Sequence, residues 1–179
     1  MSKLLVPVAA AALVAGVVFA PGAAAAAIVG PHAAECVGSS GKSAMLVRVL
    51  GLKSRTGMVR VQSYGGDPRH YFDKGSYLER VELPTPPAGS IEVCMPVPRP
   101  GTYAISIRHD VNGSGKSDMA DGGGFSGNPE VSLMDVVFKR RPSPVQVEVK
   151  VAAGVTRVPV VLNYIQGGSV KPIASAERP

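Results

Sequence analysis

The sequence predicts an all-β protein, an antiparallel β-sandwich of about seven strands interrupted by one long glycine- and aspartate-rich loop. Three observations carry that expectation. Residues 145–151, VQVEVKV, alternate apolar and polar side chains without a fault, and residues 102–108, TYAISIR, nearly do so. Alternation of period two puts one apolar face on each strand, here with Tyr103, Ile105 and Ile107 facing inward. Clusters of Gly, Pro, Ser and Asn separate such runs, and past the N-terminal apolar stretch no ten residues show the 3.6 periodicity of a helix.

Taken in order, the chain opens with Lys3, an uncharged apolar run over residues 4–20 and an alanine tract at 23–27. Those are the three parts of a secretory signal peptide, residues 1–27, with cleavage expected between Ala27 and Ile28. An uncleaved anchor is the competing reading, since the run approaches spanning length. Pro7, Gly16 and Pro21 weigh against it. No later segment is apolar enough to cross a bilayer, so the processed chain is expected in the periplasm or the medium. It keeps about 150 residues, enough for one domain with a real core.

Residues 28–44 form an N-terminal lead. The sandwich is expected over residues 45–166, with strands in 45–52, 58–64, 91–97, 102–108, 145–151 and 155–164. Ala153-Gly154 suggests a hairpin turn between the last two. Pro84, Pro86 and Pro87 break one strand from the next, and 129–140 has room for a single helical turn around Leu133 and Val136. From Gly167 to Pro179 there is little to bury, which predicts a flexible tail.

Cys36 and Cys94 are the only cysteines. Export favours a disulfide between them over two separate buried thiols, and closing so long a loop is worth about 4 kcal/mol. The formal net charge is +6. Short basic runs at 53–55 and 139–141 carry no interleaved aromatics, so no stacking platform for nucleic acid is visible.

The polar complexity concentrates in residues 109–128, HDVNGSGKSDMADGGGFSGN. Counted from Asp110, oxygen-bearing side chains fall at positions one, three, five, nine and twelve: Asp110, Asn112, Ser114, Asp118 and Asp121. Gly115 at six permits a sharp bend, and Lys116 at seven offers its carbonyl. This is the spacing of an EF-type calcium loop, in which a hard cation gathers oxygens at about 2.4 Å. The short Asp121, the uncharged Asn112 and Ser114, and the Lys116 ammonium place any calcium affinity in the weak range of roughly 0.1–1 mM. A metal-free connection competes, because Asp, Asn, Ser and Gly are also the usual turn formers.

His109 invites a hydrolase reading, but on a strand it points to the face opposite Asp110. No serine elbow, zinc motif or phosphate-binding loop accompanies it. Glu130 and Asp135 have nothing to fix them as a catalytic pair. Tyr64, Tyr71, Phe72 and Tyr77 could floor a carbohydrate site.

The runs LVRVLGL at 46–52 and GMVRV at 57–61 resemble the opening strand pair of a bacterial exported family, the domain of unknown function DUF2141. The resemblance strengthens through PGTYAI at 100–105, His109-Asp110, Asn112-Gly113, Gly115-Lys116, Asp118 and Gly124-Phe125-Ser126, and spans about 46–164. It implies an envelope β-sandwich of prealbumin-like or carboxypeptidase-regulatory-like type without an established enzymatic activity, beside the prealbumin-like or immunoglobulin-like sandwich that the strand pattern predicts. The family often has a second asparagine where this chain has Ser114. It has an acidic or proline-bearing stretch where this chain has residues 119–123. The sequence therefore points to a non-enzymatic envelope protein whose cofactor, if any, is calcium. The sequence names no partner; an envelope component or a glycan is the class it leaves open.

Overall fold

The computed structural model describes residues 26–37 and 41–174. The expected signal peptide lies, but for Ala26 and Ala27, outside the described residues. Among the described residues eleven strands build two sheets. The smaller holds β1 (Ile28–Val29), β5 (Ile91–Pro96), β2 (Ala44–Leu50) and β9 (Val155–Val161), in that order. The larger runs β11 (Ser169–Pro172), β10 (Asn163–Gln166), β7 (Gly122–Phe125), β6 (Gly101–Asp110), β3 (Met58–Gly65) and β4 (Glu79–Pro84), with β8 (Val149–Val151) also paired to β6. Two short helices, α1 (Leu133–Val137) and α2 (Pro144–Val147), precede β8.

The sandwich forms because alternate residues of both sheets converge on one core. Met45, Val47 and Val49 from β2 meet Val59 and Val61 from β3, Ile105 and Ile107 from β6, and Leu162 and Tyr164, all buried. The outer face of the smaller sheet is also covered. Ala44 and Leu46 pack with Cys94 and Cys36, and the Cys36–Cys94 disulfide, with Cα atoms 5.7 Å apart, pins the N-terminal segment there. The lead segment is thus part of the fold, its β1 pairing in parallel with β5.

The strand count and several boundaries differ from expectation, each for a local reason. Every pair in the larger sheet is antiparallel, but the smaller sheet is mixed, with β1–β5 and β2–β9 parallel. The perfect alternation at 145–151 is only half strand. Pro144 sets the first turn of α2, and the Ser143 N–H donates to Gln146 Oε1 at 3.1 Å, so Val147 turns into a cluster with Tyr64, Tyr71 and Ala104. Ala153-Gly154 is not a hairpin turn, because β8 belongs to the larger sheet and β9 to the smaller. The run 155–164 is likewise two strands in two sheets, divided at the buried Leu162. The expected flexible tail contains β11, which pairs along all of β10, and Ile173 packs on the core.

Four strands lie outside the expected runs, β1, β4, β7 and β11, and the one with the least strand signal is β7, GGGF. A Cβ at Gly122 would lie 2.3 Å from the Tyr164 ring, so glycine here makes room for the core tyrosine. Beyond β7, Ser126 closes the gap that separates β7 from β8 along β6. Its N–H donates to Ile105 O at 3.0 Å, its Oγ accepts from the Ile105 N–H at 2.9 Å and donates to Val147 O. Ser126→Ala would leave the Ile105 N–H and the Val147 carbonyl without this oxygen in a fully buried place. Each orphaned group costs about 1–3 kcal/mol. Urea unfolding should show a loss of at least that size; a loss below about 0.5 kcal/mol would contradict the bridging role.

Candidate functional site

β6 is the element that positions the site. Successive side chains alternate between faces, so Tyr103, Ile105, Ile107 and His109 point into the core while Ala104, Ser106, Arg108 and Asp110 line the outer face of the larger sheet. The strand ends with two buried polar residues facing opposite ways.

Inward, His109 is 0% exposed. Its Nε2 lies 3.0 Å from Thr56 O, an acceptor only, so Nε2 carries the hydrogen and donates. Nδ1 then accepts from the Tyr164 hydroxyl at 2.6 Å, and that oxygen accepts from the Lys53 N–H at 3.1 Å. Both ring nitrogens are therefore committed to structure, and no carboxylate bonds the ring. Burial pushes the Tyr164 phenol up to about 12, with the Asp121 charge adding to the rise and the Lys53 N–H opposing it.

Outward, Asp110 roots the polar loop. Its Oδ1 accepts from the Ser114 N–H at 3.0 Å; its Oδ2 accepts from the Gly115 N–H at 2.8 Å and from Arg108 Nη2 at 3.2 Å. Gly115, at φ +74°, supplies the expected bend. Asn112 Oδ1 accepts from the Ser114 N–H, and Asn112 Nδ2 donates to Asp118 Oδ2 at 2.8 Å. Asp118 Oδ1 accepts from the Ala120 N–H, which with the Asn112 amide holds its carboxyl below the usual range. Asp121 accepts from the Val111 and Asp118 N–H groups, and the Ser114 hydroxyl donates to Lys116 O.

The five residues that the spacing assigned to calcium are thus neighbours, but they converge on N–H donors. Among the described residues no three acidic, histidine or cysteine side chains gather as they would around a metal ion. The oxygens of Asp110 and Asp118 thus serve the backbone N–H groups of Ser114, Gly115 and Ala120, and a carboxylate that accepts such groups keeps further lone pairs.

Beside the loop, the outer face carries a cleft of about 380 Å³. Its floor is β6, β7, β10 and β11, with Ser106, Gly123, Phe125, Asn163 and Val170; the loop, through Ser117 and Asp118, forms one wall, and α1, through Val136, forms another. Arg108 lies along it, donating by Nη1 to Ser117 Oγ at 3.1 Å, and its buried Nε has no hydrogen-bond acceptor. The four aromatic residues expected to floor a carbohydrate site are divided. Tyr64 and Tyr71 are buried in the satellite cluster, and Tyr77 stacks beneath the Arg80 guanidinium at 4.3 Å. Only Tyr64 and Phe72 line the cleft, where Phe72 packs 4.8 Å from Phe125. Phe125 stands in the Gly124-Phe125-Ser126 run that carries the family resemblance but was given no role in a site, and Arg108 was not singled out; the alternation of β6 is the signal that puts Arg108 beside Asp110.

Residues 47–158, which run from β2 into β9 and include the loop, match the family model described as "Uncharacterized protein conserved in bacteria (DUF2141)". The chain belongs to this family. No curated protein and no solved structure matches this DUF2141 chain. The family description names no activity, so the chemistry of this member rests on its own residues.

The raised Tyr164 phenol has a pH consequence. Between its ordinary value of 10.0 and about 12 the folded chain keeps a proton that the unfolded chain has lost. Stability tied to Tyr164 is therefore complete below pH 10 and is lost as pH rises through about 12. In Tyr164→Phe this loss between pH 10 and 12 should be smaller than in the wild type, by urea unfolding at each pH. An equal loss in both proteins would contradict the buried latch.

Proposed function

We propose that this protein is an exported, non-enzymatic binding module of the bacterial envelope. It holds a polyhydroxylated ligand, a carbohydrate fragment, in the cleft on the outer face of the larger sheet. The observation that carries this reading is the cleft itself. Its volume falls within the range of small-ligand sites. It combines an apolar floor of Phe125, Ile165 and Val170 with carboxamides from Gln62 and Asn163, the Asp118 carboxylate and the Arg108 guanidinium. Sugars require that pairing of apolar area with several fixed donors and acceptors.

A non-enzymatic role is supported by His109, whose ring nitrogens are both spent inside the core, away from the cleft. Export is supported by the three-part N-terminal pattern and by the Cys36–Cys94 bridge, since such bonds persist in oxidising compartments. Among the described residues no helix is long and apolar enough to cross a membrane.

Gly123 supplies a clean test. It is exposed on the cleft floor, and an added Cβ would meet only Ile107 O, at 3.8 Å. Gly123→Val should fill the cleft, leave the melting temperature unchanged and abolish glycan-array binding shown by the wild type. No wild-type binding, or equal binding by the variant, would overturn the proposal.

A further inference from the structure

The cleft does not account for the short turn that projects beyond it. α1 is closed at its start by Ser132, whose N–H donates to Asp135 Oδ2 at 2.9 Å while the Asp135 N–H donates to Ser132 Oγ at 3.2 Å. Met134, Val137 and Phe138 stand at positions i, i+3 and i+4, so they share one helical face. They are 54%, 54% and 58% exposed, three large apolar side chains left open side by side.

Two cations follow directly. Lys139 takes φ +52°, a left-handed conformation that favours glycine at a helix end, so the chain sets a charge where the backbone favours no side chain. The Arg140 guanidinium lies 5.4 Å from the Phe138 ring and 3.9 Å from Asp135. The turn is held at both sides. Asn128 Nδ2 donates to Pro159 O and its Oδ1 accepts from the Val161 N–H, while Arg141 donates to Asp73 and to Tyr71 O. A tethered turn that keeps three apolar side chains outward beside adjacent cations is presented, not frayed.

We propose that this turn seats the protein on an anionic lipid surface, with Met134, Val137 and Phe138 entering the interfacial layer and Lys139 and Arg140 meeting the phosphate-bearing headgroups. The size of the face decides between occupants. Three half-exposed side chains on a helix of five residues offer far less than the roughly 800 Å² per partner that a stable protein interface buries. Insertion at a bilayer interface needs no complementary pocket, and it gains from buried apolar area and from neighbouring cations together. The net charge, +6 for the full chain and so +5 once Lys3 leaves with residues 1–27, acts in the same direction. Lys139 and Arg140 also border the cleft, whereas Met134, Val137 and Phe138 lie outside it.

The chain has no tryptophan, so Phe138→Trp creates a single fluorescent reporter at the tip. With phosphatidylglycerol vesicles its emission should shift to the blue and be quenched by brominated acyl chains. Phosphatidylcholine vesicles should leave it unchanged, and adding Lys139→Gln and Arg140→Gln should abolish the shift. Val155→Trp, on β9 of the smaller sheet, should stay unshifted with both lipids, which separates insertion of this turn from attachment elsewhere. No shift at position 138 on phosphatidylglycerol would overturn the proposal. So would an equal shift on both lipids, or a shift without vesicles that grows with protein concentration, which would make a second copy the occupant.

Discussion

A carboxylate removed from water must be given donors, and Asp110 is given three. Its side chain is almost fully buried where β6 leaves the larger sheet, and the Ser114 N–H, the Gly115 N–H and the Arg108 guanidinium all point at it. Burial without those partners would cost several kcal/mol. The loop therefore has to curl back over the strand end to supply them. That curl fixes the Asp118 and Ser117 wall of the cleft and, through Arg108, connects the wall to its floor. On the opposite face of the same strand end, His109 ties the loop before β3 to Tyr164 on β10. Two adjacent residues thus organise two sides of one sheet.

The outer face of the larger sheet is the side on which this protein presents its chemistry. The outer face of the smaller sheet is sealed by the disulfide-pinned N-terminal segment. On the larger sheet, the satellite cluster of Tyr64, Tyr71, Ala104 and Val147 seals one end, and the loop and α1 leave a cleft at the other. Ser126 marks the division between the two, standing where the pairing of β6 passes from β8 to β7.

Much of this arrangement was legible in the sequence. The inward set of β6, the strands β2, β3 and β5, the disulfide and the family follow from alternation, cysteine arithmetic and the residues around His109-Asp110. The failures share a cause: short-range pattern does not see what a segment packs against. VQVEVKV alternates perfectly, yet Pro144 and Gln146 close a helical turn because Val147 has a second cluster to enter. GGGF carries no strand signal at all, and becomes a strand because Tyr164 leaves no room for a side chain at Gly122. The calcium spacing was real as spacing. Asp, Asn and Ser serve equally as cation ligands and as acceptors for backbone N–H groups, and what the fold adds to the spacing is that Asp110 and Asp118 receive the Ser114, Gly115 and Ala120 amides.

The central claim is that the loop is ordered by its own carboxylates. Amide hydrogen exchange in the presence of a chelator measures this most directly, because it reports the very N–H groups that Asp110 and Asp118 receive. The account predicts slowed exchange at Ser114, Gly115 and Ala120 in chelator, unchanged when calcium is added. Exchange at the rate of an unstructured peptide in chelator, slowed only once calcium is supplied, would contradict it.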